Sequence, residues 1–146
     1  MNKSFTTEIR VRWSDIDVAE VVYFGHYFRY FEMAEEDFYR SLGYSPLELE
    51  EELGVRLPRI EAHCRFLRPA RMSDLLSVTM RVGEIGRKTI TYNFEVRKRE
   101  DEQLLAEGQI VAASVAMDGS RAVELPPKLV KLLEPYLEQK EETQNG

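Results

Sequence analysis

One cysteine, Cys64, stands in 146 residues, so no disulfide can close within the chain. Histidine is almost as scarce: His26 and His63 are the only two, and nothing falls at zinc-ligand spacing, so neither a metal nor a cofactor is expected. No run approaches the roughly 18 apolar residues of a membrane span, and the amino terminus M-N-K-S-F-T-T-E-I has no apolar signal-peptide core. The expectation is a cytoplasmic protein without a membrane partner. The chain has no G-x-S-x-G elbow, phosphate loop or dinucleotide fingerprint, which removes the support for a serine hydrolase, an NTPase or a Rossmann enzyme. A net charge of −6 argues against nucleic-acid binding.

With 43% hydrophobic and 32% charged residues, the chain has material for one packed core and little more. A single domain over 1–138 is expected, with 139–146 (ending E-E-T-Q-N-G) as a frayed tail. Phe5, Thr7, Ile9, Val11 and Trp13 alternate with polar residues in the period of a half-buried strand. From Phe24 the period becomes helical, with Phe28, Phe31, Ala34, Phe38 and Leu42 on one stripe and Gly43 placed to end it. Ser45-Pro46 opens a short helix that Gly54 closes. Alternating runs then follow at Ile60–Phe66, Leu76–Val82, Ile90–Val96 and Val111–Met117, separated by turns that include Gly83–Gly86 and Asp118-Gly119. The small residues Ala106, Gly108, Ala112, Ser114 and Ala116 leave one strand face shallow enough for a helix to pack there. Leu129, Val130, Leu132 and Leu133 predict a last helix after Pro126-Pro127. Strand, long helix, short helix and four strands fit an α+β sheet curled around one helix.

Asp17 lies in the connection between the first strand and the long helix. The first turn of a helix leaves unpaired N–H groups with partial positive charge, which suit an oxyanion developing on a carbonyl. The backbone N–H groups of Phe24 and Gly25 fall at the expected helix start and are the candidates for that role. Asp17 is the candidate carboxylate, acting as nucleophile or as general base toward water. Local physics alone favours a plainer role, since Asp at such a junction is very often a helix cap. Tyr23, Phe24 and Tyr27 are candidates to line a substrate pocket, whereas Phe28 and Phe31 are assigned to the core. His26 is read as a structural hydrogen-bonding group and Cys64 as inert.

The segment V-R-W-S-D-I-D-V-A-E-V-V-Y-F-G-H-Y-F-R-Y-F-E, Val11 to Glu32, resembles the signature of the hotdog-fold acyl-CoA thioesterases of the 4-hydroxybenzoyl-CoA thioesterase type. Asp15, Asp17, Val22, Tyr23, Tyr27, Arg29, Tyr30, Phe31 and Glu32 occupy matching places, and R-F-L-R-P-A-R-M-S-D and G-R-K-T extend the match. The resemblance implies a curved antiparallel sheet wrapped around a central helix, hydrolysis of acyl-CoA to free acid and coenzyme A, and Asp17 rather than Asp15 as the catalytic carboxylate. It also implies a homodimer or a dimer-of-dimers tetramer, with an acyl carrier protein as a second kind of thioester donor.

Eight basic residues stand against three acidic ones between Arg56 and Lys88. Arg87 and Lys88, together in a turn, are the candidates for the coenzyme A phosphates, in their own or a neighbouring subunit. Where the family pattern has Gly this chain has Glu20, which points to a different loop path. That departure motivates one alternative, a non-catalytic acyl-CoA binding module; a hotdog dehydratase or hydratase, needing His26 or His63, is another.

Overall fold

The structure, a computed structural model, describes residues 2–139. The tail expected to fray lies outside the described residues from position 140 onward. In chain order the elements are β1 (Phe5–Arg10), α1 (Tyr27–Ser41), α2 (Pro46–Leu53), β2 (Val55–Arg56), β3 (Arg59–Phe66), β4 (Leu75–Ile85), β5 (Thr89–Lys98), β6 (Leu104–Ala113), β7 (Val115–Ala116) and α3 (Pro127–Leu133). Five strands make one antiparallel sheet in the order β1-β4-β5-β6-β3, and β2 pairs with β7. The curled α+β arrangement expected from the sequence is the one observed.

The two-residue periods decide which face of the sheet meets α1. Leu76, Val78, Met80 and Val82 of β4 and Ile90, Tyr92, Phe94 and Val96 of β5 are buried, while Ser77, Thr79, Asn93 and Glu95 between them face outward. On β6 the register opposes each large β5 residue with a smaller or branched one: Val96 with Ala106, Phe94 with Gly108, Tyr92 with Ile110 and Ile90 with Ala112. The resulting trough receives α1, whose Tyr27, Tyr30, Phe31, Ala34, Phe38 and Tyr39 are buried. Phe31 stacks on Phe94 with centroids 4.7 Å apart. A Cβ at Gly108 would sit 2.2 Å from the Phe31 ring, so any other residue at this strand position forces the ring to shift.

Four local expectations need correction. The first strand ends at Arg10, and Trp13 stands in a 3-10 turn, 79% exposed, because Val11 leaves the ladder to bond the Asp74 carbonyl. The long helix begins at Tyr27; Phe24–His26 is a separate 3-10 turn before it. Gly83 does not start a turn: β4 runs through it to Ile85 on a bulge, and Gly83 packs against the Asn93 amide. Finally, the last alternating run is broken: β6 ends at Ala113 and Val115–Ala116 form the separate β7, while the small residues of β6 face α1 as expected. The short helix is as expected: the Ser45 hydroxyl accepts from the Glu48 N–H, Pro46 opens the helix and Gly54 closes it at φ 71°.

Gly108→Ala should cost about 1–3 kcal/mol, the usual penalty for forcing extra volume into a packed core. A denaturant midpoint lowered without a change in slope is the expected result.

Candidate active site

The chain between β1 and α1 folds back on itself. Asp17 donates its N–H to the Val21 carbonyl at 2.9 Å and accepts from the Glu20 N–H at 2.9 Å, making a three-residue hairpin loop bracketed by the Ile16–Val22 bridge. The Asp17 side chain is half-buried and its Oδ1 accepts from the Ala19 N–H at 2.8 Å. Among the described residues its Oδ2 has no hydrogen-bond partner. Glu20 closes this loop at φ 65°, the left-handed conformation that favours glycine. The chain thus meets the backbone demand of a glycine position with a glutamate, and Glu20 adds strain to the loop without opening it.

The neighbouring carboxylate is the clamp of the site. Asp15 is buried; its Oδ2 accepts from the Arg12 N–H at 2.9 Å and the Tyr30 hydroxyl at 3.0 Å, and its Oδ1 lies 2.9 Å from His26 Nε2. Its backbone carbonyl accepts from the Tyr23 N–H at 3.0 Å. These contacts join the Asp17 loop to the Phe24–His26 turn and to the first turn of α1. Burial and the Asp15 charge push the Tyr30 hydroxyl far up, so it stays a donor.

In the 3-10 turn His26 bonds back to the Tyr23 carbonyl and Tyr27 to that of Phe24. Among the described residues the N–H groups of Phe24 and Gly25 have no acceptor. Phe24 and Tyr27 line a cavity of about 280 Å³ with Val21, Val22, Phe66, Leu67, Arg68 and Pro69. Tyr23 does not line it: its ring leans on Phe24, with centroids 4.8 Å apart, and lies over Gly25. Phe28, assigned to the core from the sequence, is half-buried and lines a second cavity with Phe31. Arg87 and Lys88 sit in the β4–β5 turn, where Arg87 Nε is 3.0 Å from Glu124 Oε1. Asp17 adjoins the start of β4 through the Val21–Arg71 bridge, so the eleven-residue strand holds the two places roughly 33 Å apart within one chain. Burial pushes the Cys64 thiol up to about 11, which disfavours the nucleophilic thiolate.

A second buried carboxylate, Glu35, was not singled out from the sequence. It pairs with Arg59, next to the bonded hydroxyls of Tyr39 and Tyr92, which are 2.6 Å apart. Burial outweighs the guanidinium and pushes Glu35 up to about 7.

Residues 11–133 match the family model described as the thioesterase-like superfamily. The 1,4-dihydroxy-2-naphthoyl-CoA hydrolase of Synechocystis is 29% identical over 126 residues, 84% of this chain and 89% of its own length. The 4-hydroxybenzoyl-CoA thioesterase of a Pseudomonas species is 25% identical over 139 residues, 90% of this chain and 99% of its own. A crystal structure of a 1,4-dihydroxy-2-naphthoyl-CoA thioesterase from Synechocystis superposes with a TM-score of 0.83 at 26% identity, covering 90% of this chain and 96% of that one.

Two measurements follow from this geometry. Glu20→Gly should raise stability by about 1 kcal/mol, the left-handed strain less the entropy of glycine, read as a higher denaturant midpoint. Glu35 binds its proton more readily folded, at about 7, than unfolded, at 4.5. Its contribution to stability is therefore full below pH 4.5 and is lost as the pH rises to 7, by about 3 kcal/mol at most. Stability of wild type relative to Glu35→Gln should fall across that window in urea titrations; a constant difference would contradict the assignment.

Proposed function

The chain belongs to the thioesterase-like superfamily and is a thioester hydrolase of the hotdog fold, and from this premise we propose that it cleaves acyl-CoA to free acid and coenzyme A with Asp17 as the reacting carboxylate. The observation that carries the reading is a carboxylate with one unpartnered oxygen, held by a loop that a buried clamp ties to the turn carrying two unpartnered backbone N–H groups. The thioester carbonyl oxygen would accept from the N–H groups of Phe24 and Gly25, which have no acceptor and whose backbone the 3-10 turn fixes before charge develops. As nucleophile, Asp17 forms a C–O bond to the acyl carbon while the C–S bond breaks. The coenzyme A thiolate takes a proton from water, and a second water attacks the Asp17 carboxyl carbon of the mixed anhydride, so the free acid departs with an oxygen from Asp17. As general base, Asp17 instead removes the proton of the attacking water. Single turnover in heavy-oxygen water separates the routes, because only the nucleophilic one leaves the label in Asp17.

Assembly belongs to the same proposal. β3 pairs with β6 on one side only, so its other edge is open, and Ile60 and Phe66 on it are 56% and 48% exposed. Such an edge invites another strand. Two copies joined antiparallel through β3 would bring the Arg59 end of one against the Phe66 end of the other. The Arg59 end adjoins the turn of Arg87 and Lys88, since Arg59 is in register with Ala112 and Ser114 bonds the Lys88 carbonyl. That arrangement carries the two cations to the neighbour's Asp17 end, where coenzyme A phosphates or those of an acyl carrier protein's pantetheine arm would meet them. Among the described residues no helix is long and apolar enough to cross a membrane, and a cytoplasmic location is part of the proposal.

The alternatives have less behind them. Glu20 keeps the loop closed, which weakens the motive for a non-catalytic module. A dehydratase would need a histidine and an acid facing one acyl carbon, yet His26 turns its Nε2 to the buried Asp15 and His63 is exposed on β3.

Asp17→Asn keeps the oxygen that accepts from Ala19, so the loop should survive while thiol release falls by roughly 10²–10⁴-fold. Unchanged turnover in a folded variant would remove Asp17 from the mechanism.

A further inference from the structure

We propose that the seam between α1 and β3 is the channel for the acyl group and that the Glu35–Arg59 pair at its far end recognises a hydroxyl carried near the distal end of a medium-length acyl chain. The proposal rests on the thioesterase reading above and adds the substrate class.

The seam holds a cavity of about 400 Å³, walled by Phe28, Phe31, Ala62, Phe94 and Ile110, a size that small-molecule sites commonly have. Glu32, Glu35 and Arg59 line it as well. Arg59 reaches it through a defect in the strand. Strict alternation along β3 would put Arg59 on the face opposite Ile60 and Ala62, but the register shifts between Arg59 and Glu61, and the bulge turns the guanidinium onto Glu35 and over the Tyr92 ring at 5.8 Å. Bulges re-aim side chains in this way and cluster beside functional sites.

The pair is incompletely used. Arg59 spends one terminal nitrogen on Glu35, and its side chain remains 43% exposed; among the described residues its other N–H groups have no side-chain acceptor. Glu35 Oε1 is buried and makes no hydrogen bond of ordinary geometry, although the Tyr92 hydroxyl stands near the carboxyl. A buried polar atom left in that state is costly, and a purely structural role is served as well by apolar side chains of similar volume. One small group answers both needs: a hydroxyl accepts from the guanidinium and donates to the carboxylate. A carboxylate offers no donor, and an alkyl end offers neither function.

Position sets the length. Phe28, Phe31 and Glu35 are spaced along one face of α1, and Glu35 lies eight residues beyond Tyr27, about 12 Å along the axis. The unpartnered N–H groups of Phe24 and Gly25 stand just before Tyr27. The cavity beside them is bounded by Tyr27 and by Phe66 of β3, so both cavities lie along the same seam. A thioester carbonyl at the turn therefore puts the end of a medium-length chain, rather than a group next to the carbonyl, at Glu35.

The test compares thiol release from ω-hydroxydecanoyl-CoA and decanoyl-CoA by the full chain, well above pH 7 so that Glu35 is the carboxylate. In wild type kcat/KM should favour the hydroxylated ester by at least about tenfold, and in Glu35→Leu/Arg59→Met the preference should reverse. Glu35→Gln is the second variant in case the double one does not fold: Arg59 keeps the amide oxygen, a donor replaces the acceptor, and the ratio should drop toward one. A wild-type ratio of one or below, with both esters cleaved, overturns the subsite and leaves the hydrolase reading standing. Failure to cleave any thioester overturns the hydrolase reading instead. Calorimetry with ω-hydroxydecanoate and decanoate then decides the subsite, a tenfold preference supporting it and equal affinity overturning it.

Discussion

The Asp15 carboxylate is the interaction on which the arrangement of this site depends. Three donors converge on it from three segments: the Arg12 N–H ahead of the loop, His26 in the turn and Tyr30 on α1. A buried charge so fully partnered is stable, whereas removing it would strand all three donors, a loss on the order of 3–5 kcal/mol. The same completeness makes Asp15 a poor reactant, because both of its oxygens are engaged. Asp17, two residues on, is held through one oxygen and keeps the other. Two carboxylates in one short motif thus divide between fixing the geometry and facing the substrate.

The large-scale order was legible because it rests on periods. The alternating runs, the α1 stripe and the Ser45, Pro46 and Gly54 signals of α2 each follow from local chemistry, and the small residues of β6 announced the trough for the helix. What escaped were features set by contacts between distant residues. Trp13 continues an alternating pattern, yet Val11 bonds Asp74 and ends the strand early. Asp15 meets Tyr30 only because the hairpin loop doubles back. Glu35 lies four residues after Phe31, on the buried side of α1, but its charge hid that position. Its partner Arg59 faces inward through a bulge directly after Pro58, which the alternating run from Ile60 to Phe66 does not reveal. The Phe24–His26 turn was readable as a helix start, though not as a separate 3-10 turn that keeps the two N–H groups clear of α1.

Glu20 shows how far hydrogen bonding can override a residue's own preference. Left-handed φ costs a non-glycine residue roughly 1–2 kcal/mol, and the loop recovers that cost from two backbone bonds at 2.9 Å, a side-chain bond to the Ala19 N–H and the Ile16–Val22 bridge. Backbone contacts define this loop, so replacing the glycine of the family pattern alters its stability before it alters its shape.

β3 carries two demands that elsewhere fall on separate strands. Its inward face forms one wall of the seam, and its outer edge is open. A strand so placed must stay flat enough to pair along its edge while still presenting side chains to α1. The bulge at Arg59 reconciles these needs at the strand's beginning, leaving the register with β6 unbroken from Glu61 to Phe66. Under the two-fold assembly proposed above, the same residues that shape one protomer's acyl channel lie beside the partner's oxyanion turn. Closing the sheet and completing the site then become one event, which gives the exposed Ile60 and Phe66 a reason to be apolar.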